Sequence, residues 1–435
     1  MKNISLMCCI KLKIKAVIIS TFILSSVFGQ TIVKVPGGTI YNVTIRDSSF
    51  NFDRACYSIF IPEGIGKIRG SFIHQHGCTA EGRGVATAYD VQYQSFAKKW
   101  GLAVVGPDLY PKPGSNCFDW RDPVEDGSGP SLFAALETIG KISKHPELAS
   151  APFLLWGHSG GGYWVLSMLD KFPERIMAIV AYSPAFDPQF VYSEAATKIP
   201  LLIRHAGSKD IINCWETALH TFSKLRSMGG LVSLAYNAGQ THNFTYLRNM
   251  VIPFFESVLK QRLSTDGSNV LKDMDQAKAW LCDTTTNCKP QIYNAALFQG
   301  NPQNKSWLPD SACAAKFSEY IATAKVKDVT PPPSPKNAKF EKRGDTLTIN
   351  WTADADIESG IQCFNFYRNG KLFMQYPPYG NFQSYDTNCD DAVPVVPPPM
   401  SVKLLGIGIS AKDSISLTTV NRVGLESAKT QISFK

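Results

Sequence analysis

Charged residues are scarce in this sequence of 435 residues, since only 18% are Asp, Glu, Lys or Arg while 44% are hydrophobic. This balance excludes an intrinsically disordered chain and predicts a globular protein with a large core. The sequence has no run of lysine and arginine, which argues against a nucleic-acid partner. It also has no Cys/His cluster with zinc spacing, so we expect neither a metal nor a cofactor.

Beyond the first thirty residues, the sequence lacks an apolar stretch long enough to cross a bilayer. The first part of the chain is basic, and residues 16–27 are apolar and uncharged. This arrangement is typical of a secretory signal peptide, with cleavage expected after Gly29. Four lysines lie in this segment, so cleavage would lower the net charge from +8 to about +4. After cleavage we expect no membrane attachment; an uncleaved membrane anchor is the alternative.

Eleven cysteines are present, and nine of them follow the predicted signal peptide. In an exported protein they predict disulfide bonds, and an odd number leaves at least one free thiol. Spacing does not fix the connectivity, and a buried free thiol is the alternative for each cysteine. The pairs that we consider are Cys78 with Cys117, Cys282 with Cys288, and Cys363 with Cys389.

Short apolar runs alternate with helical patterns between about residues 38 and 262. This alternation predicts an α/β fold with a doubly wound, mostly parallel sheet that helices cover on both faces. The first two predicted strands have no helix between them and are expected to form an antiparallel edge pair. The predicted strands are 39–45, 56–61, 70–74, 102–106, 153–156, 177–182, 201–204 and 232–236, and residues 131–137 are predicted to be helical.

The pattern changes after a proline-rich segment, which predicts a stiff, extended linker. Alternating runs separated by Gly-, Pro- and Asn-rich turns then predict a small all-β sandwich with strands at 346–351, 361–368, 403–410 and 414–421. The predicted divisions are a signal peptide (1–29), an α/β domain (30–262), a connecting segment with helices near 273–280 and 311–324 (263–327), the linker (328–335) and the sandwich (336–435).

The pentapeptide Gly157-His158-Ser159-Gly160-Gly161 lies between an apolar run of strand length and a segment with helical periodicity. In that context, Gly-x-Ser-x-Gly predicts a serine on a tight strand-to-helix turn. Small flanking residues are needed because the backbone passes close to the helix. The helix N-terminus offers free N–H groups to a developing oxyanion. Ser159 is therefore the candidate nucleophile.

A serine nucleophile needs a base and an acid that orients the base. In doubly wound hydrolytic enzymes, the acid and then the base follow the serine along the chain, each after a later strand. Asp210 follows the predicted strand 201–204, and His242 follows the predicted strand 232–236, so they are the candidate acid and base. Asp187 is the alternative acid, although its neighbouring prolines are typical of a turn.

Such a nucleophile also needs two backbone N–H donors that hold the oxyanion. Gly160 follows the serine directly, and Cys78 lies in a loop after the predicted strand 70–74, so these two residues are the candidate donors. His74 and His76 lie in the same loop. We expect both to be structural, bonding loop carbonyls, because His242 already takes the role of base.

Three motifs resemble the α/β-hydrolase superfamily, over residues 38–262. Within it they are similar to secreted polyhydroxyalkanoate depolymerases and feruloyl or acetylxylan esterases. The motifs are the His-Gly-Cys-Thr loop at 76–79, the Asn-Cys-Phe-Asp-Trp segment at 116–120, and the serine turn at 157–161. That family usually has alanine at the position of Gly160. The resemblance implies a secreted carboxylic ester hydrolase acting on a polyhydroxyalkanoate or on feruloyl or acetyl esters of plant-type polysaccharides.

Residues 329–435 resemble a fibronectin type III domain, through the segments 330–332, 354–361 and 366–370. Among aromatic residues near the expected cleft, Phe118, Trp120 and Phe244 are candidate contacts for an aromatic acyl group or a polyester. Core packing is their alternative role. An ester is thus the expected partner. Two other functions stay open: a serine peptidase of the same fold, and a secreted binding protein without catalysis.

Overall fold

The amino-terminal half of the chain forms a nine-stranded sheet in the computed structural model. The structure describes residues 26–78, 82–186, 190–237, 240–242, 248–264, 268, 270–284, 290–344, 346–383, 396–405, 409 and 412–434. The strands of this sheet are β1 Ser26–Val35, β2 Gly38–Arg46, β3 Arg54–Pro62, β4 Gly70–Gln75, β5 Leu102–Tyr110, β6 Phe153–His158, β7 Ile176–Tyr182, β8 Leu201–His205 and β9 Val232–Tyr236.

The strand order is β1-β2-β3-β5-β4-β6-β7-β8-β9. The pairs from β5 to β9 are all parallel, whereas β1, β2, β3 and β5 pair antiparallel. This order confirms the predicted doubly wound, mostly parallel sheet. Because parallel strands end at one edge of a sheet, the loops that follow β4, β6, β7, β8 and β9 lie side by side.

The first two predicted strands, β2 and β3, do pair antiparallel, but they are not the edge of the sheet. Strand β1 lies outside β2 and takes that position. It begins at Ser26, inside the predicted signal peptide, and a register shift between Phe28 and Gln30 marks a bulge at Gly29. The sequence did not indicate this strand because its first residues continue the apolar leader. Cleavage after Gly29 stays a prediction.

Helices cover the sheet on both faces, and the central strands are buried on both sides. In β6, Phe153 and Leu155 face one core while Leu154 and Trp156 face the other, and all four are fully buried. Two-sided burial explains why these strands read as continuous apolar runs. The helices of this part are α1 Arg83–Tyr89, α2 Val91–Trp100, α3 Ser128–Ser143, α4 Gly160–Lys171, α5 Glu194–Thr197, α6 Ile212–Ser227 and α7 Arg248–Arg262. Within the described ranges, no helix has the length and apolarity needed to span a bilayer.

The connecting segment carries a small sheet that the sequence did not predict. The expected helix near 273–280 is wrong, because the chain there makes only a short 3₁₀ turn at Gln276–Lys278 and then enters a strand. Pairing with two other strands outweighs the local helical preference of this segment. The strands are β10 Trp280–Cys282, β11 Ile292–Asn294 and β12 Ser306–Leu308, in the order β11-β10-β12. The other predicted helix is confirmed as α8 Ser311–Thr323.

The carboxyl-terminal part consists of two four-stranded sheets packed as a sandwich, which confirms the predicted all-β unit. Trp351 lies in its core, with the ring centroids of Phe364 and Phe366 at 5.1 and 5.3 Å. The sheet orders are β17-β14-β13-β20 and β16-β15-β18-β19. The strands are β13 Lys336–Arg343, β14 Thr346–Thr352, β15 Cys363–Arg368, β16 Lys371–Tyr376, β17 Ser401–Leu405, β18 Ile415–Val420, β19 Thr430–Gln431 and β20 Ser433–Phe434.

The sandwich packs against helix α2 through both buried and exposed polar contacts. The backbone N–H of Ala355 donates to Ser95 Oγ at 2.7 Å in a buried environment. At the exposed rim of the same contact, Lys98 Nζ lies 3.0 Å from Asp354 Oδ1. The sandwich is therefore fixed to the α/β part by more than the linker that joins them.

We predict that the two contacts contribute differently to the free energy of unfolding. Ser95→Ala leaves a buried N–H without its acceptor and should lower the free energy of unfolding by about 1–3 kcal/mol. Lys98→Ala removes only a partly exposed ion pair and should cost less than about 1 kcal/mol. Urea unfolding followed by intrinsic fluorescence checks both variants. An equal loss for the two would contradict this ranking.

Candidate active site

Ser159 sits on the turn between β6 and α4, in a backbone conformation that L-residues rarely adopt. Its φ is 54° and its ψ is −118°. The turn is held from both sides, because Ser159 N donates to Tyr182 O (2.9 Å) and Ser159 O accepts from Ala185 N (2.9 Å) and Tyr163 N (3.1 Å). Strained conformations of this kind persist only when surrounding contacts fix them, and they concentrate at functional sites.

The glycines of the turn are required by close backbone approach. A Cβ at Gly157 would overlap the carbonyl oxygen of Gly161, and a Cβ at Gly161 would overlap the carbonyl oxygen of Gln75. The sheet and helix α4 can therefore meet this tightly only without side chains at these positions. This agrees with the sequence argument for small residues around Ser159.

Asp210 and His242 come together as a hydrogen-bonded pair at the same sheet edge. His242 Nδ1 lies 2.6 Å from Asp210 Oδ1, and the Asp210 side chain is fully buried. A carboxylate can only accept, so Nδ1 donates the proton of this hydrogen bond, which leaves Nε2 as the ring nitrogen that can accept a proton. This is the tautomer that a general base requires.

The Asp210 carboxylate is held ionised by donors on three sides. Burial alone would raise its pKa, but hydrogen bonds from His242, from Ser183 Oγ (2.6 Å to Oδ2) and from Ala206 N (2.9 Å) outweigh burial and lower the pKa to about 2. Asp210 is therefore negative wherever the protein is folded at ordinary pH. A fixed negative charge beside His242 stabilises the imidazolium that forms when this ring accepts a proton.

Three further residues hold the Asp210–His242 pair in place, and the sequence did not suggest any of them. Arg204, fully buried at the end of β8, donates to Ser183 Oγ (3.2 Å) and to Thr241 O (3.1 Å), so it joins a hydrogen-bond donor of Asp210 to the loop of the base. His158 Nε2 lies 3.0 Å from His242 O, which links the residue before Ser159 to the base. No sequence signal identifies Ser183, Arg204 or His158, because their partners are distant in the chain.

The predicted oxyanion loop packs directly against the serine turn. Cys78 and Cys117 form a disulfide bond, which confirms that predicted pair. A Cβ at Gly160 would lie 2.6 Å from Cys78 Sγ and 2.9 Å from Cys117 Sγ. The disulfide thus occupies the space that an alanine side chain would need. In this structure, glycine is therefore the residue that fits beneath the two sulfurs.

Cys282 and Cys363, one member of each of the other two suggested pairs, are buried free thiols in the described part of the chain. Burial raises the pKa of both, that of Cys282 to about 12. A buried free thiol is the alternative that the sequence left open. Their suggested partners Cys288 and Cys389 lie outside the described residues.

The two histidines near the oxyanion loop, His74 and His76, are buried and have structural surroundings. His74 stacks on Trp156 with ring centroids 4.1 Å apart, and burial holds its pKa well below the usual range. His76 Nε2 lies 2.9 Å from Thr87 Oγ1. The described polar partners are side-chain hydroxyls, that of Tyr93 for His74 and that of Thr87 for His76.

The candidate substrate contacts fall into different surroundings. Phe118 is 47% exposed, whereas Trp120 is 2% exposed and lies in the main core. The structure therefore gives Trp120 a packing role, which was the alternative for it. Phe244 and the alternative acid Asp187 lie outside the described residues, as does Thr79 of the oxyanion loop.

Two groups of side chains have the composition of metal ligands. The ligand atoms of Asp210, Cys214 and His242 lie within 4.8 Å of one another, but Asp210 and His242 already use theirs on each other. The second group, at the base of the sandwich, is satisfied by amide, hydroxyl and ammonium donors. It consists of Asp328, Asp356 and Glu358. Neither group requires a cation.

We predict that Gly160→Ala is costly because of the disulfide. The added methyl group overpacks the two sulfurs and should lower the free energy of unfolding by about 1–3 kcal/mol. The same change in a Cys78→Ala/Cys117→Ala background should cost at least about 1 kcal/mol less, since the sulfurs are gone. Denaturant unfolding measures both, with Gly66→Ala as the control because nothing lies within 4 Å of its added Cβ. Equal costs in the two backgrounds would refute the packing argument.

A second prediction concerns pH. The folded-state pKa of Asp210 lies below its ordinary value, so the ionised carboxylate stabilises the fold above about pH 4, and this contribution is lost as the pH falls towards 2. Ser183→Ala removes one donor and should raise the pKa of Asp210. The stability difference between wild type and variant should be constant above about pH 5 and shrink below about pH 4.

Unfolding midpoints of both proteins between about pH 3 and 7 test this expectation. Ser227→Ala is the control, because Ser227 is exposed and its Oγ donates to a backbone carbonyl, that of Lys224. A Ser183→Ala difference that keeps its full size down to about pH 3 would show that the hydroxyl does not act on the carboxylate charge.

No family model and no curated protein matches the sequence. Among solved structures, similar ones include an S-formylglutathione hydrolase from Agrobacterium tumefaciens, with 16% identity, a TM-score of 0.38, and 54% of this chain and 98% of that chain covered. A ferulic acid esterase has 13% identity, a TM-score of 0.37, and 48% and 93% covered. Likenesses this distant carry no argument about activity or substrate. The strand order and the serine turn themselves show that the chain has the α/β-hydrolase fold.

Proposed function

We propose that the protein is a serine carboxylic ester hydrolase that works through an acyl-enzyme. The observation that carries the proposal is the 2.6 Å hydrogen bond between His242 and a buried, ionised Asp210, at the same sheet edge as a serine held at a φ of 54°. A strained serine at the sheet edge that also carries a hydrogen-bonded histidine–carboxylate pair is the arrangement that a serine hydrolase needs.

In the proposed mechanism, Ser159 Oγ attacks the ester carbonyl carbon while His242 Nε2 accepts the hydroxyl proton. The tetrahedral intermediate collapses, and the imidazolium gives that proton to the leaving alcohol. Water then attacks the acyl-enzyme, again with His242 as base, and the carboxylic acid leaves with Ser159 restored. Asp210 keeps the imidazole in its tautomer and stabilises the imidazolium throughout.

We assign the oxyanion to the backbone N–H groups of Gly160 and Cys78. Gly160 is the first residue of α4, so its N–H has no acceptor within the helix. Each such donor lowers the barrier by about 3 kcal/mol. The Cys78–Cys117 disulfide touches the Gly160 backbone and ties the Cys78 loop to the segment at 117, which supports a preformed hole.

We further propose that the enzyme is secreted and acts on esters of a polymer, a polyhydroxyalkanoate or a feruloyl or acetyl ester of a plant-type polysaccharide. The apolar leader and a disulfide, which persists in oxidising compartments, support export. The exposed Phe118 near the serine supports an aromatic or polymeric substrate. In this account residues 30–262 are the catalytic domain and residues 336–435 a fibronectin type III-like module.

Reaction with a fluorophosphonate probe tests the proposal. The wild-type protein should be labelled, and Ser159→Ala should abolish labelling. Ser167→Ala, a change to a buried serine on the same helix α4, should not abolish labelling.

Asp210→Asn should lower turnover of an activated ester by about 10⁴-fold, by analogy with other triad acids. Near-normal turnover would move the role of the acid to another residue such as Asp187. No labelling of folded wild-type protein would contradict the enzyme proposal and favour a binding function.

A substrate panel then separates the remaining choices. It comprises 4-nitrophenyl esters, methyl ferulate, acetylated xylan, polyhydroxybutyrate film and peptides. Cleavage of peptides in preference to esters would identify a serine peptidase instead. Because one fold serves many substrates, only this comparison assigns the substrate.

A further inference from the structure

One guanidinium is held among three aromatic rings that belong to segments beside the serine turn. Arg121 Cζ lies 4.4 Å from the ring centroid of Phe118, 4.8 Å from that of Phe186 and 5.2 Å from that of Tyr163. The rings also contact each other, since Phe186 lies 4.6 Å from Phe118 and 5.6 Å from Tyr163, measured between centroids. We call these four residues the Arg121 platform.

Each ring of the platform is tied to the backbone beside Ser159. Phe118 follows Cys117, whose sulfur packs on Gly160. Tyr163 lies one helical turn after Ser159 and donates its N–H to the Ser159 carbonyl oxygen. Phe186 follows a residue that donates to the same oxygen. The platform therefore lies beside the serine turn.

The position of Phe186 is itself strained. It has a φ of 62°, which is rare for a bulky residue, and its carbonyl accepts a hydrogen bond from the Thr217 hydroxyl of helix α6. An ordinary surface phenylalanine has no reason to be fixed in this way. Strain of this kind at the edge of a site indicates a side chain held for function.

The N–H groups of Arg121 make no hydrogen bond or ion pair in the part of the chain that the structure describes. Three aromatic rings lie around the guanidinium, and its charge opposes the rise that burial causes in the pKa of Asp126. Rings cover the faces of a guanidinium and leave its N–H groups, which lie in the plane, available for a carboxylate. A cation fixed on aromatic rings also needs little further ordering when an anion binds.

Three acidic residues follow Arg121 in the chain, and two of them are committed to the turn they form. Asp122 Oδ1 accepts from Val124 N (2.8 Å) and Glu125 N (2.9 Å). The Asp126 carboxylate accepts from Asp122 N and from Asn51 Nδ2 (2.9 and 3.0 Å). Glu125 is exposed. Within these described residues, no hydrogen bond or ion pair joins the guanidinium to a carboxylate, although its charge acts on that of Asp126.

We propose that the Arg121 platform binds a carboxylate group of the substrate, so that the enzyme prefers acidic esters to neutral ones of the same shape. This inference rests on the proposed ester hydrolase function and names its substrate class. The carboxylate belongs either to the acyl part or to the alcohol part of the ester. Since hydrogen bonds to charged groups are stronger than neutral ones, we expect a preference of roughly 10- to 100-fold in kcat/KM.

Two matched substrate pairs test the preference and distinguish the two sources. The first pair is mono-4-nitrophenyl suberate and its methyl ester, which differ only in a charge on the acyl part. The second pair is 4-carboxyphenyl butyrate and its methyl ester, which differ only in a charge on the leaving alcohol. For wild type, the acid should exceed its methyl ester in kcat/KM by about 10-fold or more in one pair, and the ratio should fall with added salt.

Arg121→Gln should bring the acid-to-methyl-ester ratio of kcat/KM close to one. Arg121→Lys should keep part of the preference, because the positive charge stays while the paired N–H donors of the guanidinium are lost. Lys429→Gln is the control. Lys429 Nζ also lies over an aromatic ring, 3.9 Å from the Tyr367 centroid, but it belongs to the sandwich. The ratio measured for Lys429→Gln should therefore equal that of wild type. If Arg121→Gln does not fold, the salt dependence of the wild-type ratio still tests the proposal, because a ratio that added salt does not lower would contradict binding of the carboxylate by a positive charge.

A wild-type ratio near or below one in both pairs, or a ratio that survives Arg121→Gln, would overturn the platform proposal. In that case hydrolysis of the methyl esters would leave the ester hydrolase function intact. If neither pair is hydrolysed and the fluorophosphonate probe does not react, the proposed function fails, and the platform proposal fails with it.

Discussion

The turn at Ser159 is the constraint on which the rest of the site depends. A serine at a φ of 54° is unfavourable by roughly 1–3 kcal/mol, and it stays there because its own amide and carbonyl are bound on both sides. The glycines around it let sheet and helix close on each other. One consequence is that the neighbouring loops must also be fixed, by the disulfide on one side and by Arg204 on the other.

Much of this arrangement follows from local sequence. The central strands are buried on both faces, so their apolar runs are visible in the sequence without any partner being known. The chain order of Ser159, Asp210 and His242 indicated which loops carry reactive groups, since parallel strands end at one edge. The pairing of Cys78 with Cys117 was one of several possibilities, and only the fold brings these two residues together.

Other features depend on contacts that sequence patterns do not carry. Trp280 begins a strand although its segment has a helical preference, because two distant strands pair with it. Ser183, Arg204 and His158 act through partners 21 to 84 residues away. The close approach of the Cys78 and Cys117 sulfurs to Gly160 is likewise visible only in the fold. Trp120, a candidate substrate contact from the sequence, is buried in the core.

The central claim is that Ser159 is a nucleophile whose oxyanion lies between the serine turn and the Cys78 loop. A crystal structure of the protein after reaction with a fluorophosphonate tests it most directly. The account predicts phosphorus bonded to Ser159 Oγ, with the phosphonyl oxygen within hydrogen-bond distance of the backbone nitrogens of Gly160 and Cys78. Phosphorus on another residue, or a phosphonyl oxygen that faces solvent, would contradict it.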